Sequence, residues 1–487
     1  MSVFVALVVV LWMVLAAWMW LRQHRNAPPK LPGVLPIIGH SYQLLGDRKH
    51  LWNFVREALN YSLEKGGVAE IRLFTHSLYV VTDPNDALTV ANSCLNKPYF
   101  YDFAKDQLKN GLLISEASIW KVHRKLLNPA FNQQVLNTYV NEMNVQARYL
   151  VSQLASTAEK GPCDMTKFFI NYTLSTVTRT SLRLNTQDQT IIIKDYAKTF
   201  DDLTALYCDR FTKVWLHLPF LFNWSAMKRK QAILLKKVKN IMDPIIRKRR
   251  SELKTNMYDD STADKFKPIL DQMLHLAEEQ DAFTEDEIRE HLDTLVAASY
   301  DTTTSALTLM LLVIGSHRDL QDRIYNELQE VLEYKDDITK EDLPKLVYFD
   351  AVIREVLRLY PAIPFVGRKI NKDLILKNCT LRAGSTCILG LFGLLRHPLW
   401  GADADQFRPE RWLDPAGLPD HPSLFASFGV GKRNCIGKVY GMMVMKIVLA
   451  HILRRYCVTG DINNVVFEFD IMVKPVEGHH IGLTLRT

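Results

Sequence analysis

Hydrophobic positions at helical spacing dominate the chain after residue 40. Alternating patterns typical of strands are short, at residues 68–74, 77–81, 374–388 and 465–484. The pattern predicts a mainly α body that carries small β-sheets at one edge. No internal repeat or change in composition divides residues 41–487, so we expect one large domain there, although a chain of 487 residues has room for two or three.

Two segments have the sequence of a helix start. Thr284-x-x-Glu287 is a capping box, in which the threonine hydroxyl and the glutamate each satisfy a free backbone N–H group. Thr339-x-x-Asp342 is a weaker version of the same signal. We expect a helix to begin at each of them.

The first 22 residues predict a membrane anchor. Residues 2–21 carry no charge and, at about 1.5 Å per residue, cross the roughly 30 Å hydrocarbon core. Basic residues follow this run and none precedes it, which predicts a single-pass signal anchor with the body in the cytosol. A cleaved signal peptide is the alternative, but the run is long and ends in tryptophan. Residues 23–40, basic and proline-rich, predict a stiff, non-helical hinge.

Charge and cysteine content narrow the compartment and the partners. A net charge of +7 suits a surface that meets anionic lipid or an acidic protein, and no motif indicates nucleic acid. Seven scattered cysteines without Cys/His clusters predict a reducing compartment and argue against a zinc or disulfide protein. Glycosylation sequons, which are modified only in a lumenal body, begin at Asn60, Asn171, Asn223 and Asn378.

A basic segment at residues 228–250 follows an apolar segment at residues 214–224. The basic segment is typical of a solvated helix face, and contact with lipid headgroups is the second interpretation. The apolar segment fits either the core or a loop that dips into a bilayer. Both interpretations stay open.

The segment FGVGKRNCIG, at residues 428–437, carries the principal chemistry of the chain. A cysteine that ligates a metal as its thiolate needs electropositive surroundings and backbone N–H donors. Gly431 and Gly437 let the backbone turn and approach a flat ligand closely. The helix-forming run that follows would direct its N-terminus at the sulfur of Cys435, which lowers the pKa of the thiol.

This segment resembles the haem-binding signature of the cytochrome P-450 superfamily. Its fixed positions are Phe428, Gly431, Arg433, Cys435 and Gly437. The resemblance implies the P-450 fold, with residues 41–487 as one α-rich catalytic domain behind the anchor and hinge. It also implies haem b with Cys435 as the axial ligand of the iron, and Arg433 as the partner of a propionate.

Three further motifs occur in the order that the family implies. Glu355-x-x-Arg358 resembles the family's buried ion pair, and Arg411 would be the third member of that structural network.

The remaining two motifs are the predicted propionate contacts. Trp120-x-x-x-Arg124 resembles the family's pair for one haem propionate, and Arg368 matches the position that binds the propionates after the ion-pair helix.

Asp301 and Thr302 resemble the acid–alcohol pair that handles dioxygen and protons in this family. Without that role, the hydroxyl of a helical threonine simply bonds to the carbonyl four residues earlier. Ser299 replaces the usual glycine and Tyr300 is bulky, so we expect a groove for oxygen to open less freely.

The chain is most similar to insect microsomal members related to family four. Many members of that family have a glutamate that esterifies a haem methyl group at the position of Ala298. An alanine cannot form that ester, so the resemblance implies a noncovalent haem and leaves hydroxylation of a terminal carbon without support.

The resemblance implies a monooxygenase in the endoplasmic reticulum membrane (microsomes). It would use O2 and electrons from NADPH, delivered by NADPH–cytochrome P-450 reductase, with a cytochrome b-type donor as a further candidate. Lysines beside the haem motifs that would face an acidic reductase are Lys121, Lys125, Lys432 and Lys438. For each of them, an ordinary solvated lysine is the competing interpretation.

The resemblance also places the substrate contacts in mainly apolar segments, which predicts a small lipophilic substrate such as a lipid-derived chain, terpenoid, steroid or toxin. The positions are Tyr99, Phe100, Phe103, Phe220, Ala297, Ala298, Ile363, Phe365, Val366 and the turn near Val476. Two other functions remain open. A haem-thiolate isomerase or dehydratase often lacks the acid–alcohol pair, and a non-catalytic haem-dependent binder does not need one.

Overall fold

A computed structural model describes residues 7, 10–14, 26–74, 76–184, 190–256 and 267–486. Most of the predicted anchor at residues 1–22 therefore lies outside the described residues. Residues 10–14 are helical and their apolar side chains are exposed.

Helices form most of the described body. The helices before the centre of the chain are Arg48–Glu64, Pro84–Ser93, Lys105–Leu108, Ala117–Leu127, Gln133–Thr138, Val140–Leu154, Thr166–Thr180, Ala197–Thr212, Pro219–Trp224 and Ala226–Asn256. The later helices are Ile269–Gln280, Glu285–Ser316, Arg318–Leu332, Val347–Leu359, Leu391–Leu394 and Lys438–Arg455. The prediction of a mainly α body is confirmed.

Ten short strands are described, and eight of them fall in or at the edge of the four regions where the sequence predicts them, whereas β3 and β7 were not predicted. They are β1 (Val68–Leu73), β2 (His76–Val81), β3 (Val366–Lys369), β4 (Leu374–Ile375), β5 (Thr380–Leu381), β6 (Thr386–Leu389), β7 (Tyr456–Thr459), β8 (Val466–Asp470), β9 (Met472–Glu477) and β10 (Gly482–Leu485). The largest sheet has the order β1-β2-β6-β3, and only the β2–β6 pair is parallel. β8 and β9 form an antiparallel hairpin, here called the C-terminal hairpin.

The helix Glu285–Ser316, here called the central helix, runs through the core. Its start is the predicted capping box, in which the Thr284 side chain accepts from the N–H group of Glu287 and Glu287 accepts in return. Among the described helices only this one has the length and hydropathy of a membrane span, but 78% of its most apolar window is buried in protein. It packs against Thr166–Thr180 and Lys438–Arg455, so it is a core helix.

The second predicted helix start is wrong. The carboxylate of Asp342 accepts from both the N–H group and the hydroxyl of Thr339, which closes a turn. A single 3-10 turn, Leu343–Lys345, follows it, and the α-helix begins only at Val347. Pro344, which lacks an N–H group, lies in that turn. The hydroxyl of Thr339 donates to Asp342 and does not accept a hydrogen bond from a backbone N–H group, as a helix cap does.

The hinge is non-helical as predicted, and its described part, residues 26–40, packs against the body. The N–H group of Leu31 donates to the carbonyl of Glu70 at 2.9 Å, and both Leu31 and His40 are buried. Gly39 has a φ of +63°, and a Cβ there would lie 2.2 Å from the carbonyl oxygen of Arg72. This close approach requires glycine.

The basic segment lies on the long helix Ala226–Asn256, with most of its lysines and arginines exposed. The apolar segment before it has features of both the core and a loop that dips into a bilayer. Leu216 and Phe222 are buried in the protein, whereas Phe220 is 64% and Trp224 is 87% exposed.

Candidate functional site

The cysteine loop, residues 428–437, is fixed by its own backbone. The N–H group of Cys435 donates to the carbonyl of Phe428 at 2.8 Å. Gly431 has a φ of +69°, and a Cβ there would lie 2.6 Å from the Cβ of Ala91 on the neighbouring helix. Gly437 precedes the helix Lys438–Arg455, and so this helix begins directly beside the cysteine as predicted.

Cys435 is a free cysteine and is exposed as a residue, although protein atoms surround much of its sulfur. Burial among the surrounding protein atoms raises its pKa, while the N–H group of Gly437 and the charges of Arg124 and Lys438 lower it. The donors act in the predicted direction, but burial outweighs them, so the predicted net lowering does not occur in the protein alone. A bound metal ion deprotonates a coordinating thiol outright, and the loop offers the sulfur to such a ligand.

Three cations converge near the loop. Arg368 is 1% exposed, and burial followed by the charges of Arg368 and Arg433 lowers the pKa of Lys97 well below its ordinary value. Burial and then Arg368 lower the pKa of Arg433 to about 9. Within the described residues no carboxylate pairs with any of the three, and the Nε of Arg368 and the Nε and Nη1 of Arg433 have no hydrogen-bond partner.

Buried cations with unused donors need an anionic ligand. The two propionates of a haem supply two negative charges, and the thiol supplies the ligand for its iron, so the residues present fit this group. The assignment of Arg368 and Arg433 to the propionates stays a prediction with this support. Lys97 was not predicted from the sequence, and its signal is a lone lysine within the aromatic run KPYFYDF.

The two members of the Trp120-x-x-x-Arg124 motif have different partners. Trp120 lies under Arg433, with 4.8 Å between the guanidinium carbon and the ring centroid. Arg124 instead donates to the carbonyl of Asn434 at 2.8 Å and to the side chain of Asn128 at 2.7 Å. Arg124 therefore supports the cysteine loop, and its contact with a propionate stays a prediction.

The central helix continues without a break through the predicted acid–alcohol pair. The hydroxyl of Thr302 donates to the carbonyl of Ala298 at 2.8 Å, and Asp301 pairs with Lys474 of β9 at 3.0 Å. Ala298 is accessible although Ala297 before it is buried. One face of this otherwise buried helix is thus open beside Thr302.

Tyr300 is fully buried and points toward the helix Ala197–Thr212. Its hydroxyl donates to the carboxylate of Asp201 at 3.0 Å, and its ring packs edge-on against Phe200. Its bulk is therefore taken up between two helices. Ser299 donates to the carbonyl of Val296 at 2.9 Å.

Several of the predicted substrate contacts form one aromatic cluster. Tyr99 packs edge-on against Phe100 and Phe103, with ring centroids 5.8 and 6.2 Å apart. His217, which lies in the segment 214–224, packs against Tyr99 and Phe103 and shares a 3.2 Å hydrogen bond with the Tyr99 hydroxyl.

The remaining predicted contacts separate into two groups. Phe365 stacks on Phe469 of β8 at 5.4 Å, and Ile363 and Val366 are half-buried beside it in sequence. Phe220 is 64% exposed and has no recorded contact with these residues in the described part of the chain.

Glu355, Arg358 and Arg411 form the predicted buried network. Arg358 donates to both carboxylate oxygens of Glu355 at 2.8 and 2.9 Å, and Arg411 donates to one of them at 3.0 Å. Burial alone would raise the pKa of Glu355, but the bonds from Arg358 and its other donors hold it below the ordinary value. Arg358 also donates to the carbonyls of Leu395 and Gln406, which ties the ion pair to the segment before the cysteine loop.

Comparison with known proteins agrees with this site. The cytochrome P450 family model matches residues 28–479. Cytochrome P450 4d2 from Drosophila melanogaster is 28% identical, with 96% of each chain covered. Cytochrome P450 4V2 from Mus musculus is 26% identical over 95% of this chain and 91% of its own. The chain therefore belongs to the cytochrome P450 family, whose members are haem-thiolate monooxygenases.

Proposed function

We propose that this monooxygenase inserts one atom of O2 into a small lipophilic molecule by hydroxylation or epoxidation. Its electrons come from NADPH through cytochrome P-450 reductase, with a cytochrome b-type protein as an additional donor. The observation that carries the proposal is the free thiol of Cys435 beside a buried cluster of cations with unused donors.

Haem, when bound, supplies the binding and reduction of O2, and the chain supplies the protons. Thr302 stands on the open face of the central helix, with its hydroxyl hydrogen held by the carbonyl of Ala298 at 2.8 Å. The lone pairs of that hydroxyl are free to accept a hydrogen bond. Asp301, next to it, is the carboxylate that exchanges protons with water.

The haem is noncovalent in this proposal. An ester to the haem would require a carboxylate on the open face of the central helix, one turn before Thr302. That position is occupied by Ala298, whose methyl group cannot react. Retention of the haem then depends on Cys435 and on the cation cluster.

The surface around the cysteine loop suits an acidic electron donor. Lys121, Lys125, Lys432 and Lys438 are all exposed there. Val122 is 57% and Val439 is 42% exposed among them, so a basic rim surrounds apolar positions. Such a patch suits an interface that is steered by charge and closed by apolar contact.

A second surface suits a membrane. Trp215, Leu218, Phe220 and Trp224 are each at least half exposed, and they precede the basic face of Ala226–Asn256. Aromatic side chains beside lysines are typical of a segment that inserts into an anionic bilayer interface. Together with the anchor, this supports localisation in the endoplasmic reticulum membrane and entry of a lipophilic substrate from the lipid.

The carbon monoxide difference spectrum of the reduced, membrane-expressed protein tests the thiolate. Wild type should give the long-wavelength Soret band, and Cys435→Ser should lose it. Cys163→Ser, at a half-buried thiol far along the chain, is the matched control and should keep the band. A folded, haem-containing wild type without the band would overturn the proposal.

Product formation tests the rest of the proposal. With reductase, NADPH and dodecanoic acid or a sesquiterpene alcohol, a product that carries oxygen from labelled O2 is expected. A peroxide that rearranges without NADPH would instead indicate the isomerase alternative.

A further inference from the structure

Lys474 is the direct partner of Asp301. Its Nζ lies 3.0 Å from the Oδ2 of Asp301, and the two side chains are 25% and 13% exposed. Lys474 belongs to β9, on the C-terminal hairpin, whereas Asp301 lies in the middle of the central helix. An ion pair that is this well shielded is stronger than an exposed one, because water screens it less.

The hairpin holds Lys474 in a fixed position. The carbonyl of Val473 accepts from the hydroxyl of Ser305 on the central helix at 3.2 Å, and its N–H group donates to the carbonyl of Ala362 at 2.8 Å. Asp470, at the start of the hairpin turn, pairs with Arg48 at 2.7 Å. Three separate elements therefore fix the backbone on which Lys474 stands.

Lys474 is also the cation shared by several carboxylates. Burial alone would lower its pKa, but the charges of Asp301, Asp470 and Asp201 raise it above the ordinary value, so it stays protonated. The carboxylates of Asp201 and Asp470 in turn have raised pKa values, because burial outweighs the charge of Lys474 for Asp201 and of Arg48 and Lys474 for Asp470.

Other titratable groups also face this cluster. They are Tyr300, which donates to Asp201, and Arg48, Cys208, Asp209 and Glu468 around Asp470. No second cation pairs with Asp301 among the described residues. Removal of Lys474 would leave Asp301 near two carboxylates without a paired cation.

We propose that Lys474 is the positioning residue for proton delivery, because its ion pair holds the carboxylate of Asp301 in place. The inference rests on the proposed role of Asp301. Coupled turnover converts substrate, O2, two electrons and two protons into hydroxylated product and water. When a proton is not delivered for cleavage of the O–O bond, O2 takes up the two electrons and two protons without oxidising the substrate. It then leaves as hydrogen peroxide.

Four variants test this, namely Lys474→Met, Lys474→Arg, Asp301→Asn and the double variant Lys474→Met/Asp301→Asn. They are assayed as full-length holoenzymes with reductase, NADPH and whichever of dodecanoic acid or a sesquiterpene alcohol shifts the Soret band. The readouts are product and peroxide formed per NADPH, the solvent isotope effect and the melting temperature. Lys49→Gln is the control, since it breaks the exposed pair that Lys49 forms with Glu477 of the same hairpin.

We expect Lys474→Met to lower product per NADPH roughly tenfold and to increase peroxide, as the loss of a supporting partner does at other sites. Lys474→Arg should restore most of the product, and Lys49→Gln should match wild type. The spectral dissociation constant of the probe should not change. In the double-mutant cycle, the losses in melting temperature should not add, because both single variants remove one interaction.

The outcomes separate the two proposals. If Asp301→Asn uncouples turnover while Lys474→Met does not, or if the melting losses add, Lys474 does not position Asp301 and the inference is wrong. If Asp301→Asn itself stays coupled, the proposed role of Asp301 fails first. Should Lys474→Met not bind haem, Lys474→Gln, which removes only the charge and keeps a donor, carries the same comparison.

Discussion

The guanidinium of Arg433 lies 4.8 Å from the ring centroid of Trp120 and keeps two nitrogen donors without a partner among the described residues. Its third nitrogen, Nη2, donates to the carbonyl of Ser115. A side chain that is fixed by a ring and a carbonyl, with two donors left over, is pre-organised for an anion.

Arg433→Met should therefore weaken haem retention. Hydrogen bonds to charged groups contribute about 1.5–3 kcal/mol, so transfer of haem to an acceptor apoprotein should accelerate roughly tenfold or more. Arg433→Lys should retain part of the effect, because it keeps the charge but not the fork of donors. Arg382→Met, at a 44% exposed arginine paired with Asp373, is the control and should leave the transfer rate unchanged. Equal rates for Arg433→Met and wild type would contradict the anion site.

Glu355→Gln should destabilise the fold severely. It removes the charge that both Arg358 and Arg411 use, and all three side chains are at most 1% exposed. The loss of one partner from a buried ion pair costs about 3–5 kcal/mol. Denaturant midpoints of the haem-containing protein measure this loss of stability. Glu410→Gln breaks an ion pair to Arg323 whose side chains are half exposed, and should cost at most about 1 kcal/mol.

Gly431→Ala should prevent assembly of the thiolate site. An alanine with a φ of +69° costs about 1–2 kcal/mol, and its Cβ would lie 2.6 Å from that of Ala91. Gly384 has a φ of +81° but nothing within 4 Å of a built Cβ, so Gly384→Ala carries only the backbone cost. The long-wavelength carbon monoxide band per mole of protein should fall sharply for Gly431→Ala alone. Similar loss in both variants would show that the close approach to Ala91 is unimportant.

Acid should destabilise the protein partly through His291. Its Nε2 lies 2.9 Å from the Nδ1 of His123, and burial, with a smaller effect from His123, lowers its pKa from 6.5 to about 3. The unfolded chain binds a proton below pH 6.5 and the folded chain does not. Stability is therefore complete above pH 6.5 and falls as the pH drops toward 3, by up to about 1.4 kcal/mol per unit.

Replacement of His291 should flatten this dependence. His291→Gln keeps a neutral polar group, so denaturation midpoints between pH 6.5 and 4.5 should vary less than in wild type. His275→Gln, at a half-exposed histidine paired with Glu279, should keep the wild-type slope. An unchanged slope in His291→Gln would mean that other groups dominate the acid response.

The four sequons report on topology. The asparagines at positions 60, 171, 223 and 378 are all exposed, so burial protects none of them from modification. With a cytosolic body, treatment of the microsomal protein with an N-glycosidase should produce no mass shift. A shift of one or more glycans would place the body in the lumen and overturn the predicted orientation.

The sequence predicts the parts of the site that lie within single motifs. The cysteine loop and the Glu355–Arg358 pair each depend on residues a few positions apart, so their spacing alone determines their geometry.

Contacts between distant segments cannot be predicted from the spacing within a motif. The bond between Lys474 and Asp301 depends on where the C-terminal hairpin docks, and the direction of Tyr300 depends on the position of Asp201. Arg124 illustrates the same limit, because its motif identifies the residue but the fold selects Asn434 as its partner.

The packed hinge limits where a shortened form of this chain can begin. Leu31 and His40 are buried against the first sheet, and the carbonyl of Asn26 accepts from the N–H group of Thr380. The hinge is therefore held to the catalytic body from Asn26 onward. A shortened chain intended for solution work should begin at or before Asn26, since a cut at Ser41 would strip a buried edge from the sheet and expose apolar surface to aggregation.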